Sequence, residues 1–119
     1  VHFYGFIDSK EKMAEFYASA DLGFALSKWE TFGLSLLESM SSGLPLVAAN
    51  DGAALEHVLR SEAGIVLNEH TPQDLAKSVC DLAKLIAGQD NLRKAARNYA
   101  QNLTWENCFL QQLNIYQSS

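Results

Sequence analysis

Asp21-Leu22-Gly23-Phe24-Ala25-Leu26-Ser27-Lys28-Trp29-Glu30-Thr31-Phe32-Gly33-Leu34-Ser35-Leu36-Leu37-Glu38-Ser39-Met40-Ser41-Ser42-Gly43-Leu44-Pro45-Leu46-Val47-Ala48-Ala49 is the stretch whose reading decides the fold. Leu22 to Leu26 is short and nearly all apolar, the pattern of a strand buried on both faces of a parallel sheet. A loop, Ser27 to Thr31, leads into a helix from Phe32 or Gly33 to Ser42. Gly43 ends that helix and Pro45 follows it. Leu46 to Ala49 is again strand-like. Strand, helix and strand in this order make a βαβ unit, which implies parallel strands and a right-handed crossover.

The same alternation extends on both sides. Upstream, Val1-His2-Phe3-Tyr4-Gly5-Phe6 reads as a strand, and Asp8-Ser9-Lys10-Glu11 resembles a capping box with Asp8 as N-cap. A helix is predicted from there to about Ser19, with Met13, Phe16 and Tyr17 on a core-facing stripe. Downstream, Asn50-Asp51-Gly52 is a turn, Ala53 to Leu59 a short helix and Gly64 to Leu67 a further strand. From Thr71-Pro72 onward the pattern is helical. Leu75, Val79, Leu82, Leu85 and Ile86 line one helix to Gly88, and two more run from about Asp90 to Asn102 and from Thr104 to Tyr116. The last carries Trp105, Phe109, Leu110, Leu113 and Tyr116, and is expected to be covered by another part of a fuller chain. The fold class is therefore α/β: a partial Rossmann-like parallel sheet of about four strands with flanking helices over residues 1–70, then a helical tail over residues 71–119.

With 119 residues, 48% of them apolar, the chain fits one domain. No apolar run approaches the ~20 residues of a membrane span. Cys80 and Cys108 are too few for a disulfide framework and are expected to be reduced and buried. The formal charge of −5 argues against binding nucleic acid by charge alone. Up to Asp74 there are 4 Lys and Arg against 11 Asp and Glu, whereas from Leu75 on there are 5 against 3. Arg93, Lys94 and Arg97 form a basic cluster that could meet anionic lipid or phosphate, or be a solvated face. A cytoplasmic location is expected, with peripheral attachment to a membrane surface left open. The chain opens on a strand-like run with no initiator Met or signal peptide, and reads as a fragment of something longer.

In open α/β sheets ligands bind beyond the carboxyl ends of the strands, which directs attention to the loop after Leu26. First-turn amides around Phe32, Gly33 and Leu34 carry partial positive charge and suit a phosphate. Gly33 allows close approach of that ligand. Glu38, eight residues after Glu30, lies among Leu34, Leu36, Leu37 and Met40, so its surroundings are expected to be largely buried. A buried carboxylate needs partners, and a ribose diol would supply two. Glu30 could accept from hydroxyls on the other side of the phosphates. Spacing alone equally allows Glu30 as a solvated loop acid and Glu38 paired with backbone or a structural Lys.

Glu30-Thr31-Phe32-Gly33-Leu34-Ser35-Leu36-Leu37-Glu38 resembles the E-x7-E motif of retaining GT-B glycosyltransferases, especially glycosyltransferase family 4. The likeness extends to Ala20-Asp21-Leu22 before it, to Glu38-Ser39-Met40-Ser41-Ser42-Gly43-Leu44-Pro45 after it, to the opening Val1 to Phe6 and to the ending Trp105 to Tyr116. The resemblance implies a C-terminal donor-binding domain for a nucleoside diphosphate sugar. Glu38 would bind the ribose hydroxyls, and Glu30 would bind hydroxyls of the transferred sugar as the catalytic positioning group. Phe32, Gly33 and Leu34 would present backbone amides to the diphosphate, and Thr31 would be a further substrate-binding residue. It also implies transfer with retention of anomeric configuration and no cofactor; the chain has no Asp-x-Asp pair for a metal. The acceptor, a saccharide or a lipid, is unknown.

The chain departs from that family in having Gly52-Ala53-Ala54-Leu55-Glu56 where Gly-Gly-x-Pro-Glu is usual, and Ser39 and Ser41 in place of alanines. The family's upstream Arg and Lys are not matched, and Lys28 is the only cation within five residues of Glu30. An N-terminal GT-B domain and the upstream part of the C-terminal one are expected as further partners of the site, and residues 1–119 are expected to be inactive alone. In a sheet wound 3-2-1-4-5-6, Val1 to Phe6 would be strand 3, separated from the others by two strands that the chain does not contain. The rival reading is a non-catalytic or split module that holds a nucleotide sugar or only a partner chain. His57, without a partner at useful spacing, reads as structural or surface.

Overall fold

The computed structural model describes residues 1–88 and 91–118, and the predicted helix start at Asp90 lies outside them. Three parallel strands form one sheet in the order β1 (Gly23–Ala25), β2 (Leu46–Ala48), β3 (Gly64–Val66). Their register aligns Phe24 with Val47 and Val47 with Ile65. Helix α1 (Lys10–Ser19) precedes β1, α2 (Leu34–Ser41) joins β1 to β2, and α3 (Gly52–Ser61) joins β2 to β3. Helices α4 (Pro72–Gly88), α5 (Asn91–Asn102) and α6 (Trp105–Gln117) follow.

Alternation along β2 feeds two cores. Leu46 and Ala48 point to one face, where they meet Met40 of α2, Ala54 and Val58 of α3, and Ala96 and Ala100 of α5. Val47 points to the other, against Leu67 and Leu82, with Leu75, Val79 and Ile86 of α4 packed beside them. The first face is rich in alanine, which lets three helices approach the strands closely. Gly64 belongs to the same economy of space, because a Cβ there would overlap the Leu46 carbonyl oxygen.

Caps set the helix boundaries. Thr71 Oγ1 accepts from the Asp74 amide at 3.1 Å, so the Thr71-Pro72 start is as the sequence predicts. Asp51 caps α3, and Glu62 ends it in the left-handed conformation at φ 55°. At α1 the cap is Ser9 and not Asp8: its hydroxyl accepts from the Lys12 amide at 3.3 Å and donates to Glu11 at 2.9 Å. The helix starts one residue later than the capping-box reading placed it, and only the Ser9 oxygen is in reach of a third-residue amide.

The N-terminal run is not a strand. Val1 to Phe6 makes no ladder with the sheet, and Phe3 and Phe6 are 95% and 92% exposed. Strand propensity acts only where a neighbouring strand offers hydrogen bonds, and no such edge lies against this run. The stripe on α1 is likewise not core: the helix buries no residue, Met13 and Tyr17 are half-buried, and Phe16 packs edge-on against Tyr4 at 4.7 Å. Arg93 of α5 holds the end of α1 by donating to the carbonyls of Ala20 and Ala18 at 3.1 and 3.2 Å. One member of the basic cluster is thereby spent on the fold. Cys80 and Cys108 are free thiols, but exposed and not buried. Cys80 sits beside Val79 on α4 but off the stripe that meets the sheet. Helix α6 buries none of its residues, and Trp105 is 77% exposed. Among the described residues no helix is long and apolar enough to cross a membrane.

Gly64→Ala is expected to destabilise the fold by ~2–4 kcal/mol, because backbone and not a yielding side chain occupies the space. Gly88→Ala, at a position facing open space, is expected to be neutral or slightly stabilising. Thermal melting of the two variants by circular dichroism checks this, and equal midpoints would refute the packing argument.

Candidate functional site

The site is built where β1 and β2 end. The loop after β1 runs from Leu26 to Gly33, and the turn after β2 brings Gly52 and Ala53 against it. Ala53 donates its amide to the Glu30 carbonyl at 3.0 Å. Gly52 has φ +64°, and a Cβ there would come within 2.9 Å of the Glu30 carbonyl oxygen and 3.1 Å of that of Lys28. Glycine is therefore required at 52, while the alanine at 53 is accommodated: it is buried in the first turn of α3 and its amide serves the loop.

Glu30 is not a freely solvated acid. It is half-buried, and its Oε1 accepts from the Gly33 amide at 3.1 Å. The expected availability of that amide to a phosphate is corrected accordingly, since the Glu30 carboxylate already occupies it. No protein donor reaches Oε2 among the described residues. Gly33 is the N-cap of α2, at φ 77° and ψ 54°, and no side chain caps the helix after it. The first-turn amides that begin at Leu34 are left without side-chain acceptors. Thr31, Phe32 and Leu34 are exposed around this opening.

Glu38 stands one turn further along α2 and is exposed, contrary to the burial expected from its apolar neighbours. The helix presses Leu37 and Met40 onto the protein and turns Leu34, Glu38 and Ser41 outward. Glu38 and Ser41 border two clefts. One, of about 350 Å³, lies against α1 and the segment before it, with Ser9, Met13 and Tyr17 on its wall. The other, of about 220 Å³, is walled by Phe32, Leu34, Leu103 and Trp105. Burial and the nearby Glu38 charge together push the Tyr17 phenol above its ordinary range. The Glu38 carboxylate makes no hydrogen bond or ion pair among the described residues. Glu30 to Leu34 thus form one continuous loop and helix start, with Glu38 on the rim of both clefts. No group of three His, Cys, Asp or Glu side chains is placed to hold a metal among the described residues.

One residue of this neighbourhood was not legible as such in the sequence. His57 of α3 is 5% exposed. Its Nε2 lies 2.6 Å from the Phe32 carbonyl oxygen and its Nδ1 2.9 Å from the Tyr99 hydroxyl. Those partners are 25 and 42 residues away, beyond anything a spacing pattern can signal. His57 is therefore a buried, partnered residue and not a surface one.

Residues 1–103 match the family described as glycosyl transferases group 1. A D-inositol 3-phosphate glycosyltransferase of Nocardioides sp. is 32% identical over 108 residues, which cover 91% of this chain and 24% of that protein. A GDP-mannose-dependent alpha-(1-6)-phosphatidylinositol dimannoside mannosyltransferase of Mycobacterium tuberculosis is 31% identical over 106 residues, covering 89% of this chain and 27% of that protein. Among solved structures, the sucrose-phosphate synthase of Thermosynechococcus elongatus superposes with a TM-score of 0.78 at 30% identity, over 99% of this chain and 30% of its own. The chain spans about a quarter of the length of the curated relatives it matches.

The two acids are expected to differ in what they do for the fold. Glu30→Ala removes the acceptor for the Gly33 amide and is expected to cost ~1–2 kcal/mol. Glu38→Ala removes no hydrogen bond or ion pair among the described residues and is expected to change stability by less than ~0.5 kcal/mol. Parallel urea melts measure both, and a large loss at Glu38 would show a structural role that the geometry does not contain.

Proposed function

The chain belongs to the group 1 glycosyl transferases, and from that premise we propose that it forms the donor side of an enzyme that moves a sugar from a nucleoside diphosphate to an acceptor. The observation that carries the reading is Glu38: an exposed, unpartnered carboxylate on the rim of two clefts, one helical turn from an uncapped helix start. A carboxylate that makes no hydrogen bond or ion pair among the described residues is free to serve a ligand. The α2 amides are suited to the diphosphate, since unpaired N–H groups and the helix dipole both favour an anion. In this reading Glu38 accepts from the two ribose hydroxyls. Glu30 is held by its Oε1 and offers Oε2 to hydroxyls of the sugar being transferred.

In this reading Glu30 orients the donor and does not attack it. Catalysis is positioning plus electrostatic stabilisation of the leaving diphosphate, which helps to deprotonate the acceptor on the same face. That is the retaining, family 4 type of transfer, with a GT-B architecture in which a first domain supplies most acceptor contacts. The diphosphate charge is met by helix amides and by cations from outside residues 1–119, without a metal ion. The relatives named for inositol phosphate and phosphatidylinositol mannoside chemistry favour a hydroxyl-rich acceptor, saccharide or lipid-borne. On this account residues 1–119 hold only part of the donor site, and the exposed face of α6 is covered by the remainder of the enzyme.

Calorimetry on the full-length protein, with UDP-glucose and GDP-mannose as probes, tests the assignment. Glu38→Ala is expected to weaken donor binding ~10- to 100-fold, the equivalent of losing hydrogen bonds to a charged group. Unchanged affinity for a donor that the unmodified protein binds would sink the ribose role. Purified residues 1–119 are expected to show no transfer or donor hydrolysis, and sustained turnover by them would overturn the account of a partial site. Proton NMR of the first-formed product reads the anomeric configuration directly, with retention expected.

A further inference from the structure

Tyr99 of α5, His57 of α3 and the loop from Glu30 to Gly33 are joined in one series of hydrogen bonds that runs through the Phe32–Gly33 peptide. The Phe32 carbonyl can only accept, so His57 Nε2 carries the proton and donates to it at 2.6 Å. In the tautomer with that proton on Nε2, Nδ1 is an acceptor for the Tyr99 hydroxyl, 2.9 Å away. The same planar peptide that presents the Phe32 oxygen presents the Gly33 amide on its opposite edge. That amide donates to Glu30 Oε1 at 3.1 Å. The peptide is thus gripped from both sides, by a buried imidazole on one and by the site carboxylate on the other.

We propose that His57 and Tyr99 are positioning residues for the donor site, locking the Phe32–Gly33 peptide so that Glu30 and the first turn of α2 keep the geometry the donor requires. The inference rests on the donor-site reading given above. A peptide ahead of a left-handed glycine is the kind that can turn over, because Gly33 at φ +77° has no side chain to oppose the change. Turned over, it would release Glu30 and aim a carbonyl oxygen, in place of an amide, at the opening where an anionic diphosphate is to sit. His57 opposes this by holding the oxygen on the α3 side. Its ring is fixed edge-on between Phe32 and Tyr99, with centroids 6.1 and 5.7 Å away.

Tyr99 is suited to donate throughout the neutral range. Burial raises its phenol above the ordinary value, Arg60 works against that and Glu56 adds to it. Bonds in series polarise one another, so a change at Tyr99 is expected to reach Glu30 through the ring and the peptide.

Steady-state kinetics and donor calorimetry on the full-length enzyme test this, with whichever of UDP-glucose and GDP-mannose the unmodified protein binds. His57→Phe removes the donor to Phe32 and is expected to raise donor KM and Kd about tenfold while leaving acceptor KM unchanged. His57→Gln, whose Nε2 can still donate to that oxygen, is expected to recover most of the affinity. Tyr99→Phe deletes one hydroxyl, with an expected two- to fivefold rise in donor KM. Combined with His57→Phe it should add nothing further. If His57→Phe fails to fold, Tyr99→Phe carries the test. A purely structural pair would lower the melting temperature and the active fraction with donor Kd unchanged, and that result overturns the proposal. Glu38→Ala run alongside separates the two ideas. Donor binding lost in Glu38→Ala but kept in both His57 and Tyr99 variants refutes only the positioning pair, whereas binding kept in Glu38→Ala refutes the donor site on which it stands.

Discussion

Strand β2 has water on neither face and on neither edge, and the rest of the molecule is arranged around that fact. Its three residues, Leu46, Val47 and Ala48, are all buried, with β1 and β3 hydrogen-bonded on either side. A strand so placed cannot slip in register without driving side chains into the opposite core. It therefore fixes the level at which all three strands end, and the loops that leave those ends start from a common floor. The helices need no long apolar stripe of their own to be held there. Helix α2, only eight residues long, would be far too short to persist alone, yet it is anchored by Met40 beneath it and by α5 alongside.

The loop above that floor is ordered by backbone more than by side-chain packing. Glu30 gives its carbonyl to Ala53 and one carboxylate oxygen to Gly33, while Phe32 gives its carbonyl to His57. Three acceptors of the segment 30–33 are thus satisfied, two of them by α3 and one by the segment's own Gly33 amide. Such a loop is rigid without being covered, which is what a site that binds by positioning needs. The price is a set of narrow requirements, glycine at 33 and at 52 among them, because each stands in a left-handed conformation and close to neighbouring atoms.

What the sequence discloses and what it hides divide along the range of the interaction. The βαβ alternation, the Thr71-Pro72 start and the Gly43 stop are local, set by side-chain period and by capping chemistry within a few residues, and all are visible in the order of residues. Val1 to Phe6 has the composition of a strand but no edge to join, and pairing is a property of the partner as much as of the segment. The orientation of Glu38 failed for a related reason. Counting apolar neighbours along α2 does not say which of its faces meets the sheet, and on so short a helix Leu34 can point outward with Glu38. His57 was invisible as a functional neighbour because Phe32 and Tyr99 come to it only through the tertiary fold. The Glu30 and Glu38 spacing was legible, whereas the capture of the Gly33 amide by Glu30 was not.

Charge sets the last constraint on the proposed site. Residues up to Asp74 carry 11 acidic against 4 basic side chains, and a nucleoside diphosphate adds further negative charge among them. Two like charges at 4 Å near a protein surface repel by about 4 kcal/mol, so neither Glu30 nor Glu38 can face phosphate oxygens. Both can face hydroxyls, which donate to a carboxylate at no such cost. In the proposed site the diphosphate would then lie between them, at the α2 amides, with ribose toward Glu38 and sugar toward Glu30. The amides are worth about half a charge, and Lys28 adds one more on a flexible stem. Arg93, the nearest thing to a rigid cation elsewhere in the chain, is engaged with the carbonyls of Ala18 and Ala20. A donor held here would keep uncompensated charge, and the proposed site is therefore one that closes electrostatically only when further cations are brought to it from beyond these 119 residues.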